Sequence, residues 1–565
     1  MMIRHLQSRP RALAWASVTA ATVLGLSACS GSSGGGGGGG AGTGGSGAGG
    51  GVLTIQGDAG NPTLVENFNP LQAGAALHGM YLIYEPLAIP SPIDGQYTYL
   101  LATGQKFTDP KTLQFTLRQG VTWSDGKPFT AADVAFTFNL LKKFPALDGT
   151  GVWQQISGVS ASGDTVTFTF KAPSVPFAGV VAQVPIVPEH LWSSVTDPVK
   201  YANDKPVGTG PFTLASFAPT QYTLKKNPSY WQASKVVPSQ VVFPAQASNQ
   251  STNQLDISTG KYDWAYNFFP DVQKTYVARD PQHNSYWFPP GGTIGLYLNL
   301  TKKPYSDVNF RQGVSLSLDR TTIATKAVNG YLGAASMSGL ILPNLQKWLD
   351  PSLPNQGVVK QDSAAAASAF AKAGYTLQGG KLVGKNGAQA TMSIVMPGNF
   401  SDWVAAAKEV STELTQAGIK VSLDEPQYAQ YASTTQAGTF DAAMGGFGGT
   451  GNPYTDFNNA LNSSFAAPVN TPTANNFERF KNTQVDQSLG TLAAATDNQA
   501  QLKATYKLEQ AMYSQVPVVL MYYGGSWGLF STKNFTGWPS AADPYTLPTN
   551  YNNSLLTVVL HLKKA

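Results

Sequence analysis

The chain of 565 residues has a single cysteine, Cys29, so neither a disulfide framework nor a cysteine-type zinc site can be built from it. Histidine is nearly as scarce. His5, His78, His190, His283 and His561 are scattered, without the spacing of a metal or nickel centre. Neither a metal nor a cofactor is therefore expected. Charge is also sparse. Charged residues make up 12% of the chain, and the net charge is only +5. Arg4, Arg9 and Arg11 contribute to that excess from the extreme N-terminus, and no later Lys/Arg cluster marks a phosphate-tracking groove. No nucleic-acid partner is expected. After residue 28 no apolar run is long enough to span a bilayer, and no internal repeat is visible.

What is abundant is apolar and aromatic. Hydrophobic residues reach 42% and aromatics 11%, including 11 Trp and 24 Tyr. A chain this long splits into more than one compact lobe. Its surface must be largely uncharged and polar. That chemistry suits neutral ligands such as sugars and peptides.

The N-terminus reads as an export signal over residues 1–28. Arg4, Arg9 and Arg11 form a charged start, and Ala12 to Leu26 forms a short apolar stretch. The run Leu26-Ser27-Ala28-Cys29 is similar to a bacterial lipobox, which implies acylation of Cys29 and stable anchoring by more than one chain. Residues 29–51 are then the acylated cysteine and a Gly-rich flexible tether. The expected location is the outer face of the cytoplasmic membrane, extracellular or periplasmic, with the chain anchored and not inserted.

From Val52 onward strand and helix patterns alternate irregularly. Val52–Gln56, Thr112–Arg118 and Thr165–Lys171 read as strands, the last two with period-two alternation. Thr130 and Asp133 predict a capped helix start. Ser363–Ala373 and Trp403–Gln416 read as helices stopped by Gly374 and Gly418. The mixture predicts an α/β protein of several lobes.

The stretch Leu113–Leu141, LQFTLRQGVTWSDGKPFTAADVAFTFNLL, closely resembles the signature of the family-5 solute-binding proteins, which bind oligopeptides, nickel or oligosaccharides for ABC importers. Further segments follow in that family's order: Asn67–Leu71, Tyr84–Leu87, Val187–Trp192, Pro206–Phe212, Asn227–Trp231, Leu255–Ala265, Leu296–Arg320, Ala373–Tyr375 and Phe440–Gly448. The resemblance implies a two-lobed periplasmic-binding-protein fold with mixed sheets, two crossing hinge segments and an inserted subdomain in lobe I. Residues 52–73, 208–288 and 530–565 would form the lobe I core, 74–207 the inserted subdomain and 289–529 lobe II. It also implies a monomer that closes on a small-molecule ligand and delivers it to ABC permease and ATPase subunits. Gly208 and Gly210, before Pro211, mark a tight backbone crossing.

The resemblance also bears on the ligand. Peptide binders of this family carry an Asp in lobe II that pairs with the peptide amine. Thr450 stands at that position here, and a buried ammonium without a carboxylate is costly. Asp456 is close in sequence and keeps an oligopeptide alternative open. The run Trp527–Pro548 resembles the oligosaccharide-binding branch. Sugars need flat aromatic faces and amide or hydroxyl partners. The candidates of that chemistry are Trp264, Tyr266, Asn267, Asn299, Trp403, Phe447, Gly448, Thr450, Asn452, Tyr523, Trp527 and Trp538, with core packing the competing explanation for each aromatic. A remote alternative is a serine hydrolase. Gly524-Gly525-Ser526-Trp527-Gly528 fits G-x-S-x-G, and Asp543 and His561 follow in order, but no helical pattern follows Ser526. No enzymatic activity is expected.

Overall fold

The computed structural model describes residues 50–58, 62–72, 76–247 and 249–565. Cys29, the export signal and nearly all of the Gly-rich tether lie outside the described residues. Among the described residues no helix is long and apolar enough to cross a membrane.

The alternating segments form strands because every second residue enters a core. In Thr112–Leu117, Leu113, Phe115 and Leu117 are buried while their neighbours face outward. This strand pairs antiparallel with Ala102–Asp109 and Thr165–Phe170, and Ile156–Ser162 completes a four-stranded sheet. Helix Ala131–Lys143 starts where Thr130 and Asp133 cap each other. The Asp133 carboxylate accepts from the Thr130 backbone at 2.9 Å. Its other oxygen accepts from the Glu189 amide at 3.0 Å, tying the helix start to the next segment.

A second four-stranded sheet has Val52–Thr54 at one edge, followed by Gln240–Pro244, Gln221–Lys226 and Phe212–Ala218. Helix Asn552–His561, from the far end of the chain, shares its apolar core. Gly208 and Gly210 make the expected crossing. The Gly210 amide donates to Ile83 O at 2.8 Å, and a Cβ on Gly208 would stand 1.9 Å from that oxygen.

The other lobe is built on a five-stranded mixed sheet in the order Lys420–Asp424, Thr391–Val395, Ala442–Phe447, Pro290–Leu298 and Val518–Gly525. Helices Ser401–Gln416 and Arg320–Val328 pack together beside it, and Asn498–Gln515 leads into its last strand. Gly418 ends the first of these with φ +91°, a left-handed conformation that favours glycine. Its core runs from Ile294 to Tyr523 and is separate from the core that joins Leu53 to Leu562.

The chain passes between the two lobes twice. Asn284–Trp287 leads into Pro290–Leu298, and Val518–Gly525 leads out into Gly528–Ser531. The outer strands of these pairs join Trp264–Tyr266 in a three-stranded sheet, and the inner strands pair in the five-stranded sheet. The fold is thus mixed α/β and two-lobed, with two adjacent crossings.

Candidate functional site

A cavity of about 1080 Å³ opens between the lobes. Its walls come from segments far apart in sequence. Tyr81 projects from the short helix His78–Leu82, and Tyr97 from the strand Tyr97–Tyr99. On the facing lobe, Lys347 and Trp348 sit on the turn Gln346–Trp348. Tyr454 and Thr455 begin helix Pro453–Leu461. Tyr81, Tyr97, Trp348 and Tyr454 are each partly exposed, so aromatic faces remain for a ligand.

Between the rings the wall is mostly amide and hydroxyl. Gln72, Gln96, Gln105, Gln183, Gln501, Asn452, Asn552 and Asn553 line it, with Thr150, Thr450 and Thr455. Asp94 and Lys347 are the only charged residues on the wall among the described residues. Lys347 Nζ is already engaged, donating to the Asp94 carbonyl oxygen at 2.6 Å. The Asp94 carboxylate accepts from the Gln96 amide at 3.0 Å. Gln105 Oε1 is a buried acceptor with no partner among the described residues.

The loop that follows strand Ala442–Phe447 closes one side. Asn452 does two things at once. Its Oδ1 caps the next helix by accepting from Tyr454 N at 3.0 Å, with Pro453 at the first helical position. Its Nδ2 donates to Pro176 O in the opposite lobe at 3.1 Å. Gly451 lies against Pro92, where a Cβ would come within 2.6 Å of the Pro92 Cα.

Behind this loop Asp456 is buried. Its Oδ1 accepts from Thr450 Oγ1 at 2.7 Å and from Thr450 N at 3.2 Å. Burial pushes its carboxyl up to about 6, against the opposing pull of those hydrogen bonds. Asp456 is not on the cavity wall, and Oδ1 is committed to the chain's own loop.

Of the residues singled out from sequence, Thr450 and Asn452 reach the cavity wall. Trp264 does not: it is fully buried between Phe530 and Trp538, and its Nε1 donates to Pro548 O at 3.3 Å. Trp538 stacks on Phe530 with ring centroids 5.0 Å apart and donates to Phe535 O. Asn299 is fully buried, and its Nδ2 holds the Gly438 and Phe440 carbonyls at 2.9 and 2.8 Å. Phe447 packs edge-on against Phe457 within the lobe II core. Tyr523 is buried, its hydroxyl accepting from Ser336 N at 3.2 Å. Trp403 lies half-buried between Phe400 and Tyr431. In all of these the aromatic or amide groups meet needs of the fold.

Tyr266, Asn267 and Trp527 gather at the crossing instead. The Asn267 amide donates to Trp527 O at 3.1 Å, Tyr266 meets Tyr551 edge-on at 5.3 Å, and Trp527 packs on Phe268 and Phe288 at 5.0 Å. Gly448 turns the chain with φ +71° beside the Asp456 carboxylate. The cavity aromatics Tyr81, Tyr97, Trp348 and Tyr454 were not singled out from sequence. The capping Asn452 followed by Pro453 is the local signal that could have led to Tyr454.

The hydrolase constellation does not assemble. Ser526 lies between strands Val518–Gly525 and Gly528–Ser531, with no helix after it. His561 Nδ1 meets Thr557 O at 2.7 Å, and its ring stacks on Tyr545. Among the described residues no three His, Cys, Asp or Glu side chains converge as a metal site.

Comparison with known proteins places this geometry. The family model for bacterial extracellular solute-binding proteins, family 5 middle, matches residues 96–468. The peptidoglycan-binding protein YepA of Agrobacterium fabrum is 25% identical over 513 residues, covering 79% of this chain and 80% of its own. The periplasmic oligopeptide-binding protein OppA of Salmonella typhimurium is 24% identical over 485 residues, covering 78% and 81%. The crystal structure of a Thermotoga maritima periplasmic oligopeptide-binding protein of an ABC transporter superposes with a TM-score of 0.83 at 24% identity, over 91% of this chain and 99% of that one. Its mannohexaose-bound form superposes with a TM-score of 0.76 at 25% identity, over 91% and 98%.

Proposed function

Because the chain belongs to the bacterial extracellular solute-binding proteins of family 5, we propose that it is the substrate-capturing subunit of an ABC importer and that its ligand is a neutral oligosaccharide. The observation that carries the ligand class is the cavity wall. Aromatic rings alternate with amides and hydroxyls, and the two charged residues are held by each other's loop or by neighbouring backbone. Stacked rings cover the C–H faces of pyranoses, and amides exchange hydrogen bonds with ring hydroxyls. The cavity exceeds the usual ~300–1,000 Å³ of small-molecule pockets, which fits several linked rings better than one.

The cycle needs no covalent chemistry. An open form admits solute, and closure of the lobes buries it. The ligand favours the closed form by its differential affinity for that form. The lobe I core is assigned to residues 52–73, 208–288 and 530–565, the inserted subdomain to 74–207 and lobe II to 289–529. Acylated Cys29 tethers the monomer to the outer face of the membrane, within reach of its permease.

A second reading, oligopeptide binding, is favoured by the Salmonella relative and by Asp94 on the wall. A thermal-shift screen separates the two, since a ligand of the native state raises the melting temperature by mass action. Manno-, cello-, xylo- and malto-oligosaccharides form one arm and mixed tri- to hexapeptides the other. A shift with one sugar series alone supports the oligosaccharide reading. A shift with peptides alone replaces it.

A further inference from the structure

We propose that Asp456 is the positioning residue of an inter-lobe latch: it holds the Thr450–Asn452 loop in the shape that grips Pro92 and Pro176 of the opposite lobe. The proposal rests on the closure cycle given above but not on the ligand being a sugar.

The geometry is a short relay. Asp456 Oδ1 takes both the hydroxyl and the amide of Thr450. Thr450 Oγ1 in turn accepts from the Asn452 amide at 3.2 Å. Asn452 then spends Oδ1 on the helix start and Nδ2 on Pro176 O, so its side chain has no freedom once the loop is set. Gly451, at φ +73°, brings backbone directly against Pro92, where no Cβ fits. Helix Pro453–Leu461 carries Asp456 in its first turn, so the pin and the loop it pins share one rigid element. A buried carboxylate is costly unless hydrogen-bonded; here Oδ1 takes its bonds from the loop that touches the other lobe, while Oδ2 is buried with no partner among the described residues. Without Asp456 the loop loses its inner anchor. The loop's own hydrogen bond across the cleft is that of Asn452 to Pro176 O, and Lys347, on the separate turn Gln346–Trp348, makes another to Asp94 O.

The loop does not bind the ligand through Asp456. Thr450, Gly451 and Asn452 line the cavity, and Asp456 sits behind them. The residue therefore acts on affinity through closure and not through contact.

The test uses the ligand-free full chain and compares Asp456→Ala, Asp456→Asn and Thr450→Val with wild type by amide hydrogen exchange and small-angle X-ray scattering. Asp456→Ala is expected to speed exchange of residues 448–455 at least tenfold and to enlarge the radius of gyration, while strand Val518–Gly525 keeps its protection. Asp456→Asn retains an acceptor and is expected to restore most of that protection. Thr450→Val, which leaves the buried carboxyl in place, is expected to reproduce the alanine result and carries the test where Asp456→Ala does not fold. Wild-type exchange and dimensions in a folded Asp456→Ala or Thr450→Val overturn the proposal. Exchange raised equally in strand Val518–Gly525 also overturns it, because that pattern reports general destabilisation. Neither readout needs a sugar, so failure of the oligosaccharide reading leaves this test intact.

Discussion

Asn452 Nδ2 donates to Pro176 O at 3.1 Å, joining two residues 276 positions apart and on opposite lobes. The contact exists because the strand Ala442–Phe447 ends at the cleft and its loop is turned back by Gly448 and Gly451. An Asn452→Ala variant removes both this bond and the cap of helix Pro453–Leu461. It is expected to lose about 1 kcal/mol of stability from the cap and, beyond that, to bind ligand more weakly. Urea unfolding and calorimetric titration on the same sample separate the two effects.

Ligand affinity should depend on the wall aromatics and not on the buried ones. Tyr81→Ala and Trp348→Ala are each expected to weaken binding by ~1–3 kcal/mol with little change in melting temperature. Trp264→Ala should do the reverse: it is expected to destabilise the fold by ~3–5 kcal/mol and leave the affinity of the folded fraction unchanged. Titration calorimetry read alongside chemical denaturation checks the pair. Weak binding by a stable Trp264→Ala would return that residue to the site.

Gly208 is held to glycine by the Ile83 carbonyl oxygen, 1.9 Å from where a Cβ would stand. Both partners are backbone, so no rotamer change relieves the clash. Gly208→Ala is expected to destabilise by ~3 kcal/mol or more, beyond ordinary overpacking. A Gly208→Ala protein with wild-type unfolding would show that this crossing is looser than the structure has it.

Stability should fall as pH rises because of Glu478. The residue is fully buried, and neither carboxylate oxygen has a partner among the described residues. Burial pushes its carboxyl up to about 8, with the Arg479 guanidinium pulling the other way. Between the ordinary carboxylate range and about 8 the native state holds a proton that the unfolded chain has lost. The stabilisation is thus complete below that window and is lost as pH rises through it. Glu478→Gln stays neutral throughout. It is expected to melt near the wild-type temperature at pH 5 and above it at pH 9. Equal melting temperatures at both pH values would contradict the assignment.

Local signals in the sequence carried most of the scaffold. The Thr130–Asp133 capping box, the alternation of Thr112–Leu117 and the glycine stop at Gly418 are each read from a few adjacent residues, and all appear in the structure. Gly208 and Gly210 were legible as a close crossing because only glycine fits such an approach. The cavity was not legible in the same way. Tyr81, Tyr97, Trp348 and Tyr454 are brought together by tertiary structure from distant segments, and nothing local distinguishes them from Trp264 or Phe447, which fill cores. An aromatic side chain in isolation says that it wants cover, not whether a neighbour or a ligand provides it. Thr450 was singled out by resemblance alone, and the structure adds what sequence did not hold: its hydroxyl is spent on Asp456.

Whether the inter-lobe cavity takes neutral oligosaccharides is decided by isothermal titration of the full chain with mannohexaose and cellohexaose, and with tri- to hexapeptides, at pH 7 in low and high salt. Binding of one hexasaccharide with affinity insensitive to salt, lost in Tyr81→Ala and Trp348→Ala, is the predicted result, because a neutral ligand has no charge to screen. Peptide binding that weakens with salt, with no heat from either sugar, would contradict it and would point to Asp94 as the partner of a ligand amine.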